Sequence, residues 1–246
     1  MTLERFSALA GLLFLTAAAG AAEPPTLVLN DTNEAPYTTP AGDGFVDLVA
    51  AEAFRRAGVG LKLVRLPAER ALMNADSGLD DGALARIAGL DANYPNLVRV
   101  PEKLLDWTFC AFSRDAAIPG QWAAIRQHPT GFIRGWKIYE RGMAGAEQVL
   151  TAEDSAQLFR MLQLDRVEVV LYECWMGQSL LARAGMRGIS PLAPPLARKE
   201  MFIYLNKRHA ALAPKLAAAL RAIKAEGLYQ RLYQAKVHPS VEARAR

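Results

Sequence analysis

The chain has 246 residues, 52% of them hydrophobic and 22% charged, with 18 Gly, 14 Pro and 2 Cys, which excludes disorder, collagen and a disulfide-stapled miniprotein. At this length a chain builds one large or two small cores. The 29 basic and 25 acidic residues leave a net charge of +4 without long single-sign runs, so no basic face for nucleic acid is expected.

The first element is an uncharged apolar run, Ala8 to Ala19, followed by small residues and then Glu23-Pro24-Pro25. This pattern reads as a secretory signal peptide spanning residues 1–22. As a helix the run would cover only about 18 Å, against a hydrocarbon core of about 30 Å, so it does not serve as an anchor. A periplasmic destination is therefore expected.

Thr26 to Asn30 is a β-rich run closed by the turn string Asp31-Thr32-Asn33-Glu34. Phe45 to Ala57 has helical spacing, with Phe45, Leu48, Val49, Ala53 and Phe54 on one stripe. A strand over Leu61–Leu66, a helix opened by Pro67 and ended by Gly78, and strands at 81–87, 97–100 and 107–112 follow. After Asp115 the rhythm restarts with strands at 130–133, 167–172 and 201–205 and helices at 155–164, 177–184 and 213–227. Strands alternating with helices predict mostly parallel sheets flanked by helices, in an α/β chain of two lobes.

Several strings in this order resemble the type II periplasmic solute-binding proteins, specifically the amino-acid-binding family of ABC transporters (family 3). They are Ala35-Pro36-Tyr37, then Gly44-Phe45-Val46-Asp47-Leu48 against the family's "GF-x-D-L", and Gly78-Leu79-Asp80-Asp81-Gly82 before the third strand. In the second half, Leu162 with Asp165-Arg166-Val167-Glu168-Val169-Val170 is similar to "L-x-x-G-R-V-D-A-V", and Met201 to Asn206 followed by Lys207 resembles the return strand. The resemblance implies lobe 1 from 23–112 plus 206–246 and lobe 2 from 113–205, with Trp107–Phe112 and Met201–Leu205 crossing between them. It also implies a monomer that closes on a small polar, carboxylate-bearing ligand by a hinge motion and delivers it to a membrane permease or receptor.

The family's ligand-gripping "T-x-x-R" Arg is absent: Gly89-Leu90-Asp91-Ala92 stands there, which opens the cleft to a less polar ligand. Arg86, ending the third strand, is the substitute candidate for a carboxylate, against a surface Arg paired with Asp81 or Asp91. Arg70 is a second, against a solvated position beside Glu69. Glu173 matches the family's ammonium-binding acid. Gly135-Trp136 matches its "G-T" turn, where backbone N–H groups could cradle an anion. Tyr37, Trp107, Trp136 and Tyr172 are candidate cleft walls, against ordinary packing.

Cys110 and Cys174 each sit in an apolar run; spacing leaves pairing open, and buried free thiols are the plainer reading. The three His (His128, His209, His238) are scattered and form no metal site with either Cys, and no cofactor is expected. The chain contains no G-x-S-x-G, Walker or H-E-x-x-H string, so no enzyme is expected. The remaining alternatives are a receptor's sensing module and a cyclohexadienyl dehydratase-like enzyme using Glu173 as its acid.

Overall fold

The computed structural model describes residues 24–237, and the signal-peptide reading for residues 1–22 lies outside them. The first half runs β1 (Thr26–Asp31), α1 (Phe45–Arg56), β2 (Gly60–Arg65), α2 (Ala68–Ser77), β3 (Gly82–Ile87) and the long β4 (Leu97–Ser113). The second half runs α3 (Trp122–Ile125), β5 (Thr130–Ile133), α4 (Lys137–Gly142), β6 (Val149–Ala152), α5 (Ser155–Gln163), β7 (Val169–Glu173) and α6 (Cys174–Arg183). It ends with β8 (Ser190–Pro191), β9 (Ala197–Asn206), a 3₁₀ turn at Lys207–Leu212, α7 (Ala213–Ala225) and α8 (Leu228–Lys236).

Local chemistry explains the element ends. Helix α1 starts where Asp47 reaches back to accept the Gly44 N–H at 2.9 Å and the Thr39 N–H at 2.9 Å, which gives the "GF-x-D-L" string its acid. Phe45 is then held edge-on between Tyr229 and Tyr233 of α8, at ring distances of 4.9 and 5.4 Å. Helix α2 stops at Gly78, whose φ of +82° a side chain would strain.

Among the described residues the strands form a nine-stranded sheet in the order β2-β1-β3-β9-β4-β7-β5-β6, with β8 also on β4. The expected parallel pairs are present at both ends, β1 with β2 and β3, and β5 with β6 and β7. In the middle, β4 and β9 run antiparallel to each other from Leu97↔Asn206 to Phe109↔Ala197, which makes the two ends one continuous sheet. The strands expected separately at 97–100 and 107–112 are therefore one. Pro101, Glu102 and Lys103 interrupt the apolar pattern, and the ladder absorbs them through register shifts between Arg99 and Leu105. Helix α7 returns to pack on α1 and β4.

The reading of free buried thiols is corrected: Cys110 and Cys174 form a disulfide, with Cα atoms 5.2 Å apart. The cause is register. Antiparallel pairing puts Tyr172 opposite Cys110, so Cys174 follows two residues along and comes within bonding reach. Replacing both by Ala is expected to lower stability by about 2–4 kcal/mol in chemical denaturation. An unchanged denaturation midpoint would show that the bridge constrains nothing.

Candidate functional site

The carboxyl ends of β1, β3 and β5 converge where the two ends of the sheet face each other, the usual location of clefts in open α/β sheets. A cavity of about 40 Å³ lies there. Its walls are Thr32 after β1, Leu72 of α2, Ala85 to Ile87 of β3, Leu90, Trp107 and Phe109 of β4, Gly135 to Ile138 after β5, and Met201 of β9. A groove of about 290 Å³ lies alongside and shares Thr32 and Trp136 as walls.

Arg86 is delivered to this cavity by an irregularity. The β3–β9 register shifts between Ala83 and Arg86, and Ala85 adopts a φ of +51°. The side chain is only 7% exposed. It pairs with neither Asp81 nor Asp91. Its guanidinium donates instead to Thr32 Oγ1 at 3.2 Å and Asn30 Oδ1 at 3.4 Å, and its buried Nε has no partner. Burial pulls its pKa down to about 10, so it still carries its charge at neutral pH. The Trp107 indole N–H is a second buried donor without a partner.

The expected aromatic walls form a stack. Tyr37 lies 6.3 Å from Trp107, Trp107 5.3 Å from Trp136, and Trp136 5.0 Å from Tyr172, with interplanar angles of 22–30°. Trp107 and Trp136 also line the cavity, and Tyr172 lines the adjoining groove. Tyr37 lines neither. Its ring is 1% exposed, and its hydroxyl donates to Glu173 Oε1 at 3.3 Å.

Three other expectations are displaced. Arg70 is exposed on α2: Glu69, one residue earlier, is the side chain turned toward Lys137, and a helix rotates the next position away. Glu173 is fully buried but not on the cavity wall. Its carboxylate caps α6 by accepting the Met176 N–H at 2.8 Å. The Gly135 N–H is already donated to Glu140 Oε1 at 2.8 Å, so the Gly135-Trp136 turn does not present the expected anion cradle.

Burial pushes the Glu173 pKa up to about 8. The folded chain then holds a proton that the unfolded chain releases near 4.5, so this stabilisation is complete at low pH and is lost as pH rises through about 8. The melting temperature is expected to fall between about pH 4.5 and 8 and to level off above. Glu173→Gln should flatten that fall; an equally steep fall in the variant would reject the assignment.

Contacts that hold the facing surfaces together include the Glu34 N–H donating to Met176 Sδ at 3.1 Å and four others. Lys137 Nζ lies 2.6 Å from Glu69 Oε2, Ser155 Oγ donates to Glu34 Oε1 at 2.6 Å, and the Tyr37–Glu173 bond adds a third. The fourth is backbone against backbone, since a Cβ on Gly135 would stand 2.5 Å from the Glu69 nitrogen. Thr32 and Lys137 were missed from sequence. Thr32 lies inside the turn string that closes β1 and Lys137 directly follows Gly135-Trp136, so their positions just beyond the carboxyl ends of strands were the available signal.

Among the described residues, no group of three His, Cys, Asp or Glu is placed to hold a metal ion, and no helix is long and apolar enough to cross a membrane. No family model matches the chain. An uncharacterised protein of Shewanella oneidensis is 28% identical over 204 residues, covering 77% of this chain and 75% of its own. Among solved structures, a mutant ArgBP from T. maritima matches with a TM-score of 0.73 at 16% identity, covering 86% of this chain and 94% of that one. A histidine kinase sensor domain similar to periplasmic binding proteins matches at 0.76 and 14%, covering 87% and 97%. The GluR0 ligand-binding core with L-glutamate matches at 0.76 and 9%, covering 89% and 100%. The nine-stranded α/β architecture, with its sheet halves crossed by β4 and β9, is thus the two-lobed fold of the type II periplasmic binding proteins.

Proposed function

We propose that the chain is an exported, monomeric solute-binding protein of the amino-acid-binding type, which clasps a small carboxylate-bearing organic molecule between its lobes and hands it to an ABC-type permease. In this reading residues 23–112 and 206–246 form one jaw and 113–205 the other. The observation that carries it is Arg86: a buried cation with an unpaired donor, on the wall of a cavity bounded by elements from both jaws. A desolvated charge is costly unless something pairs with it, and an anionic ligand supplies the pair.

Ligand binding adds contacts that exist only when both jaws are engaged, so it shifts the equilibrium toward the closed form. At about 100 times the dissociation constant, a ligand selective for the folded state adds about 2.7 kcal/mol, or about 5–11 °C in melting temperature for a chain of this size. Thermal-shift screening against amino acids, dicarboxylates and aromatic acids, followed by X-ray scattering with the best hit, tests the proposal. A hit that compacts the protein supports it; no shift across the library rejects it.

A second reading, a sensing module for a membrane receptor, draws support from the histidine kinase sensor domain that shares the fold. Co-purification from membranes with a permease or with a kinase separates the two. The dehydratase-like alternative loses its acid, because Glu173 is away from the cavity wall and engaged at the α6 N-terminus.

A further inference from the structure

Apart from the Thr32 hydroxyl, the polar side chains lining the cavity are all hydrogen-bond donors. Arg86 and Trp107, both on the wall, each hold a buried nitrogen donor without an acceptor, Lys137 adds a cation paired with Glu69 and Glu140, and no Asp or Glu stands among the residues lining the cavity. The acids nearby are already engaged. Asp31 accepts from the Asn33 N–H and the Thr38 hydroxyl. Glu69 accepts from Lys137 and Tyr94, and Glu140 from Gly135 and Lys137. Glu173 accepts from Met176 and Tyr37. The Thr32 hydroxyl, the one side-chain oxygen on the wall, already accepts from Arg86.

An α-amino acid brings a carboxylate and an ammonium together. The carboxylate would pair with the Arg86 guanidinium. The ammonium would lose its water beside two cations with no free carboxylate to receive its protons, a cost that an imperfectly paired buried charge does not recover. The rest of the wall is apolar: Leu72, Ile87, Leu90, Phe109, Trp136 and Met201.

We infer that the ligand is an apolar monocarboxylate without an α-ammonium group, and that the site discriminates against the corresponding amino acid. This rests on the reading of the interlobe cavity as the solute site. The test is calorimetric titration of the mature protein with matched pairs that differ only in the amino group: propionate and L-alanine, 3-methylbutanoate and L-valine, 4-methylpentanoate and L-leucine, 3-phenylpropionate and L-phenylalanine. In the best-binding pair the plain acid is expected to bind at least ~10-fold more tightly. An amino acid that equals or exceeds its acid partner, or binding confined to other zwitterions such as L-arginine or L-glutamate, overturns the inference while leaving the clasping reading intact. No binding by any acid or amino acid at millimolar concentration overturns both.

Discussion

Arg86→Met is expected to stabilise the protein and to weaken its hold on a carboxylate ligand, two effects of opposite sign from one side chain. The guanidinium is desolvated, its Nε has no acceptor, and its two hydrogen bonds, to Thr32 and Asn30, are long. Burial depresses its pKa to about 10, so the charge is kept at neutral pH but at a cost to the fold. Methionine fills a similar length with apolar atoms and removes that penalty. Replacing buried charges by well-packed apolar residues is typically neutral or stabilising by about 1–4 kcal/mol. Asn30 keeps its bonds to Ala71 O and Asp80, so little of the surrounding network is lost. Binding should behave in the reverse manner, with a loss of about 2–4 kcal/mol, or about 30- to 1000-fold in dissociation constant. Denaturation and calorimetry on the same preparation test both halves. A variant that is less stable and binds equally well would show Arg86 to be a structural residue.

That opposition explains which parts of the site the sequence made legible. Arg86 was visible because a lone cation in the apolar string Gly82 to Ile87 needs a reason to be there. Trp107 and Trp136 were visible as aromatics at strand and turn boundaries. Glu173 was equally conspicuous, yet the same string that marks a cleft acid also marks a helix cap, and the direct passage from β7 into α6 decides for the cap. Arg70 failed for a comparable reason, since neighbouring positions on α2 point about 100° apart and only one of Glu69 and Arg70 can face the other lobe. The parallel strands and flanking helices were readable from periodicity because each buries a face nearby in sequence. The β4–β9 pairing and the Cys110–Cys174 bridge join segments far apart in the chain, and local pattern carries no register between such segments.

In the proposed clasping reading, closure would depend on a residue with no side chain. Gly135 has a φ of +86°, and a Cβ there would meet the Glu69 nitrogen at 2.5 Å and the Ala68 carbonyl carbon at 3.0 Å. Both obstacles are backbone at the start of α2, so no rotamer change relieves them and the two surfaces must part. Parting them lengthens the Lys137–Glu69 ion pair beside the contact and opens the cavity that shares Gly135 as a wall. In that reading Gly135→Ala is expected to weaken ligand binding about 10- to 100-fold and to suppress the compaction on ligand addition that X-ray scattering would measure. The substitution also places an alanine at positive φ, which costs about 1–2 kcal/mol wherever it occurs. Gly89→Ala separates the two causes: its φ is +79°, but a Cβ there meets nothing within 4 Å. The Gly89 variant should lose similar stability and still close on its ligand. If Gly135→Ala compacts and binds as Gly89→Ala does, the approach of the Gly135 turn to α2 is not what sets the closed state.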